Sequence, residues 1–119
     1  MRRRGQVDRV LGTIIGHEMA GTVVAVGPGV VDFAVGDRLA SLHRRSCHRC
    51  DACLRGRSVV CSSGVLYGES IDGSYADFCV VDELSLARIP DGVGFDQAAV
   101  AACAVGTGLH ALRLAGVTA

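Results

Sequence analysis

Hydrophobic positions along the chain follow strand logic first and helix logic last. Ala20-Gly21-Thr22-Val23-Val24-Ala25-Val26 is rich in β-branched residues, and Gly27-Pro28-Gly29 ends it with turn chemistry. Val30 and Val31 resume the pattern, Gly36-Asp37 supplies a second turn, and Arg38-Leu39-Ala40-Ser41 is predicted to form the next strand. Farther on, Gly73-Ser74-Tyr75-Ala76-Asp77-Phe78-Cys79-Val80-Val81 alternates and then runs apolar. That pattern predicts a strand passing into the core, with Cys79 as a small buried side chain. Leu86-Ala87-Arg88-Ile89 reads as a last strand, closed by Pro90-Asp91-Gly92. The period then changes. Residues 96–103 are alanine-rich and helical, with Asp96 in the first turn to suit the dipole. Gly106-Thr107-Gly108 is expected to interrupt that helix, Thr107 to cap a second one over residues 109–114, and Gly116 to stop it. Short strands with glycine turns, followed by helices, predict a mainly β chain of barrel or sandwich type with C-terminal helices, an α+β class.

Composition narrows this reading. With 119 residues, half of them hydrophobic, the chain can bury one core, so one domain over residues 1–119 is expected. The formal net charge is zero, so no global field draws it to nucleic acid or to an anionic membrane. No apolar run reaches the roughly 18 residues that a membrane helix needs. The start Met1-Arg2-Arg3-Arg4 is basic, but Asp8 and Arg9 break the apolar stretch behind it, so no secretory signal is expected. These features together predict a soluble, cytoplasmic protein.

The densest chemistry lies between Cys47 and Cys61. Cys47, Cys50 and Cys53 recur every third position, and Cys61 follows eight positions on. Three uses compete for these thiols. A disulfide network is possible from the even count of six but lacks an oxidising compartment to support it. Redox Cys-x-x-Cys chemistry needs one pair, and here the pair is doubled. Zinc accepts four thiolates in a tetrahedron and leaves no open position, which makes such a site structural rather than catalytic. Zinc is the expectation, in a lobe over residues 43–63. Four thiolates on one dication carry two surplus negative charges, and Arg44, Arg45, Arg49, Arg55 and Arg57 lie within or beside the loop to offset them. For any single arginine a merely solvated position is the more common account.

Gly16-His17-Glu18 precedes the first strong strand. A histidine beside a glutamate can ligate zinc while the carboxylate orients or neutralises the site. By itself such a pair is more often a hydrogen-bonded structural one, so its weight comes from context. Cys103, near the expected helix break, could offer a thiol to a cleft, though such a thiol by itself is more often inert packing.

Taken together, Gly16-His17-Glu18-x-x-Gly21-x-Val23, Val35-Gly36-Asp37-Arg38, the Cys47, Cys50, Cys53, Cys61 lobe and Gly73-Ser74-Tyr75-Ala76-Asp77 resemble the catalytic half of zinc-dependent medium-chain alcohol dehydrogenases. The resemblance covers roughly residues 10–116 in unbroken order. It implies a GroES-like, partly open β-barrel carrying a structural-zinc lobe. It also implies that His17 and Cys103 bind a catalytic zinc, with Glu18 as an adjacent or alternate ligand, and that Thr107 lies near the nicotinamide ring. The oxidoreductase activity implied is zinc-assisted hydride transfer between a small alcohol or aldehyde and NAD or NADP.

The sequence departs from that pattern at both ends. The family's first catalytic ligand is a cysteine some twenty or more residues before Gly-His-Glu, whereas fifteen residues precede Gly16 and none is a cysteine. No Gly-x-Gly-x-x-Gly turn follows a strand, and residues 104–119 read as the start of a link to a nucleotide-binding domain. The expectation is a portion truncated at both ends, with the structural zinc held, the catalytic zinc held weakly, and no activity as this chain alone. The rival reading is a zinc-ribbon-like module for nucleic acid or protein. Its spacing is wrong for two separated knuckles, and aromatic residues make up only 4% of the chain, which leaves few stacking surfaces.

Overall fold

The computed structural model describes residues 12–117. They fall into two compact units, one of residues 12–17 and 44–80, the other of residues 18–43 and 81–117.

The second unit is built on an antiparallel sheet of β1 (Met19–Thr22), β2 (Arg38–Ser41) and β5 (Leu86–Arg88), in the order β1-β2-β5. Met19 pairs with Ser41 and Thr22 with Arg38, and Leu39 pairs on its other side with Arg88. Alternation along β2 buries Leu39 and Ser41 on one face, where they join Met19, Ile89 and Ala98 in the core. Ala98 comes from α2 (Phe95–Val100), which packs on β1 and β2.

The first strand is shorter than its sequence suggests. Ladder pairing stops at Thr22, and Val23 then faces two residues at once: its N–H donates to the Asp37 carbonyl (2.9 Å) and its carbonyl accepts from the Gly36 N–H (2.9 Å). Two residues opposing one make a bulge, which re-aims the strand and ends it. Val24 and Val26 are consequently exposed rather than core. The turns read from sequence stand: Val30 N–H bonds the Gly27 carbonyl and Val93 N–H the Pro90 carbonyl, closing Gly27-Pro28-Gly29 and Pro90-Asp91-Gly92.

The helical end differs from the expected break at Gly106-Thr107-Gly108. α2 continues through a π-helical turn (Ala101–Val105) into α3 (Gly106–Leu114) without interruption. Thr107 therefore lies inside α3 and is not its cap. The stop at Gly116 is as read: Gly116 N–H bonds the Arg113 carbonyl (3.1 Å) and Val117 N–H reaches back to Leu112 (3.1 Å), the paired bonds of a Schellman end.

In the first unit, β3 (Arg44–Arg45) pairs antiparallel with β4 (Val65–Leu66) and brackets the cysteine loop. Tyr67, 2% exposed, anchors this small unit. Residues 73–81 form no strand. Their first three amides are spent on the Ile14, Gly16 and Ile15 carbonyls, which bends the segment, and residues 76–81 join neither described sheet. A period-2 pattern buries a face only where a ladder holds it, and here Phe78 is 73% and Val80 93% exposed. Cys79 is likewise exposed, not buried as the pattern suggested. The architecture is strand-rich with C-terminal helices, and the described strands do not close into a barrel.

Candidate metal centre

The four lobe cysteines converge. Their sulfurs all lie within 4.8 Å of one another. Cys47 and Cys61 stand 3.4 Å apart, Cys50 and Cys53 3.5 Å, Cys50 and Cys61 3.8 Å. Zinc–thiolate bonds of about 2.3 Å in a tetrahedron place sulfurs about 3.8 Å apart, so the cage has the size of that ion. None of the six cysteines is disulfide-linked.

Local backbone builds the cage. From β3 the chain turns at His48, whose φ of 52° is the one left-handed non-glycine conformation among the described residues. This turn brings the amides of Arg49 and Cys50 onto the Cys47 sulfur, and together with Cys61 they pull its pKa down to about 6. Cys50 caps α1 (Asp51–Leu54), and the Cys53 amide and thiol likewise lower its pKa. Cys53 is pushed the other way, up to about 12, by desolvation and its sulfur neighbours. Four thiols this close share protons unequally, and the arrangement suits a dication that replaces them. α1 ends at Gly56, whose φ of 73° lets its N–H bond Cys53 (3.0 Å) while Arg57 N–H bonds Ala52 (2.8 Å). A 3₁₀ turn over Ser58–Val60 then delivers Cys61, which is buried and accepts from the Cys47 N–H (3.4 Å).

Of the five arginines flagged in sequence, Arg44 reaches inward, donating to the carbonyls of Val59 and Cys61. Arg55 pairs instead with exposed Asp51, one turn away on the same helix.

The second set of sequence candidates lies elsewhere. His17 is half-buried in the first unit, directly after Gly16. Gly16 has φ of 102°, and a Cβ there would meet the Tyr75 ring at 2.5 Å, so only glycine fits. Its carbonyl accepts from Ser74 N–H (3.1 Å), which fixes the peptide leading into His17. Glu18 is exposed and opens the second unit. Cys103 is half-buried at the centre of the π turn, and Thr107 is exposed on α3. Sequence reasoning missed the glycine contacts around Gly16 and the reach of Arg44. The spacing of Arg44 and Ser46, two apart beside a strand, was the available signal for the latter.

Residues 1–91 match the alcohol dehydrogenase GroES-like domain family, and the chain belongs to it. An alcohol dehydrogenase of Geobacillus stearothermophilus is 39% identical over 104 residues, 87% of this chain and 31% of that protein. The L-threonine 3-dehydrogenase of Aeromonas salmonicida is 36% identical over 87 residues, 73% of this chain and 25% of that one. Among solved structures, galactitol-1-phosphate dehydrogenase from Escherichia coli superposes with a TM-score of 0.79 at 32% identity, covering 87% of this chain and 30% of that chain. Alcohol dehydrogenase TADH from Thermus sp. ATN1 gives 0.84 at 26%, covering 92% and 34%. The chain thus spans a quarter to a third of the length of the relatives it matches. The GroES-like fold and the structural zinc site of the lobe follow from the family together with the sulfur cage.

Proposed function

We propose that the chain is the zinc-binding catalytic portion of an NAD(P)-dependent alcohol dehydrogenase acting on a small alcohol or aldehyde. In this reading, which rests on the family pattern, His17 and Cys103 are ligands of a weakly held catalytic zinc, with Glu18 as an adjacent or alternate one. Imidazole, thiolate and carboxylate form a donor set that catalytic zinc accepts, unlike the closed four-thiol cage. Such an ion supplies Lewis-acid activation of the alcohol for hydride transfer. The observation that carries the reading is Cys103 at the centre of a π turn, since such turns concentrate at functional sites and this one falls at the cysteine that matches a catalytic ligand of the family. Gly16 contributes by holding the backbone before His17, and Thr107, the second residue of the following helix, is assigned to the nicotinamide side by the family pattern alone. The substrate names of the relatives belong to those proteins; the class they share is a hydroxyl or carbonyl carbon beside a nicotinamide.

No helix among the described residues is long and apolar enough to cross a membrane. A thiolate cage needs reduced cysteines, which favours the cytoplasm. Zero formal charge and few aromatics argue against nucleic acid as a partner.

Titration with Co(II) tests the reading. One ion should bind tightly to the four thiols and a second more weakly, because one thiolate, one imidazole and a carboxylate hold less firmly than four thiolates. His17→Ala or Cys103→Ala should abolish the weaker event and leave the tight one. A weaker event that survives the double variant would remove these residues from the site.

A further inference from the structure

Arg44 and Ser46 lie two residues apart on the extended segment that leads into the lobe, so their side chains share a face. Both reach across to the returning segment. Ser46 Oγ donates to the Ser58 carbonyl (3.0 Å), and the Arg44 guanidinium donates to the carbonyls of Val59 and Cys61, the latter at 3.4 Å. Three carbonyls of the turn that delivers the fourth thiol are therefore held from one strand. The guanidinium occupies the space above Gly64, where an added Cβ would overlap Nη2 and crowd Nε at 3.2 Å. Gly64 has no left-handed φ, so its lack of a side chain serves that space and not the backbone conformation.

We propose that Arg44 is the positioning residue of the zinc lobe, with Gly64 as the vacancy that admits it. A forked, permanently charged group on the carbonyl of the last ligand does two things. It fixes the backbone that aims Cys61, and it sets one positive charge beside a cage that carries two surplus negative charges when filled. Lysine supplies the charge but reaches a single carbonyl. The inference rests on the lobe holding zinc.

Chelator competition on the full chain tests it, with Co(II) spectra as a second readout. Arg44→Met should weaken zinc binding about 10- to 100-fold, the range for lost partners of metal ligands. Arg44→Lys should recover part of that loss. Gly64→Ala keeps the arginine and the backbone but expels the guanidinium, so it should reproduce the Arg44→Met loss and shift the thiolate-to-cobalt bands, which a general loss of stability would leave alone. Should Arg44→Met fail to fold, Gly64→Ala decides. Both variants within about threefold of the parent, with unchanged bands, would overturn the role of Arg44 while leaving the zinc lobe standing. A parent chain that takes up no metal would overturn both.

Discussion

Gly68 and Gly16 approach so closely that a Cβ on Gly68 would stand 2.6 Å from the Gly16 amide nitrogen. Gly73 crowds the same residue, since its Cβ would overlap the Gly16 carbonyl and stand 2.8 Å from Gly68 Cα, while its own N–H bonds the Ile14 carbonyl (2.7 Å). Three glycines distant in sequence thus make one backbone-on-backbone contact that sets the entry to His17. Gly68→Ala and Gly73→Ala must move main chain, so each should cost about 1–3 kcal/mol, or roughly 4–12 °C in Tm. Gly27→Ala, with open space around it, should change Tm little. Thermal unfolding of the three variants checks the contrast.

Metal removal should be felt most where the cage sits. The first unit buries little apolar surface beyond Tyr67, whereas a four-thiol zinc contributes on the order of 10 kcal/mol to folding. Cys61→Ser or a strong chelator should therefore strip amide-exchange protection from residues 44–66. Protection of Leu39 and Ala40 in the other unit's sheet should persist. Uniform loss or uniform retention across both units would contradict this.

Arg88 ties β5 to the turn after β1. It pairs with Asp37 (2.5 Å), donates to the Asp32 carbonyl (2.8 Å) and lies 5.2 Å over the Phe33 ring. Together with the Ala34 amide it holds the Asp37 carboxyl below its ordinary 3.8. That contribution is present above pH 3.8 and lost as pH falls below it. Arg88→Met removes three contacts at once and should lower Tm on the order of 5 °C, more than Asp37→Asn, which removes one. Both values come from the same thermal scans.

The parts legible in sequence were those written locally. Four cysteines at short spacing announced their cage, and Gly27-Pro28-Gly29, Pro90-Asp91-Gly92 and Gly116 announced turns and a helix stop, because each acts within a few residues. The misreadings involve distant partners. Residues 73–81 alternate like a strand, yet their amides go to Ile14, Ile15 and Gly16, a choice no window around Phe78 contains. Thr107 resembled a cap because two glycines flank it, and only the π turn upstream shows why the helix continues. Arg44 was one of five equivalent arginines until the fold placed Gly64 beneath it.

Phe78, Val80, Leu109, Leu112 and Leu114 all face solvent, on a chain whose formal charges cancel. Without mutual repulsion, molecules bearing this much uncovered oily surface attract one another, and salt does little to prevent it. Turbidity at millimolar concentration near neutral pH, relieved by dilution or by a few added acidic residues on α3, is the colloidal signature such a surface carries.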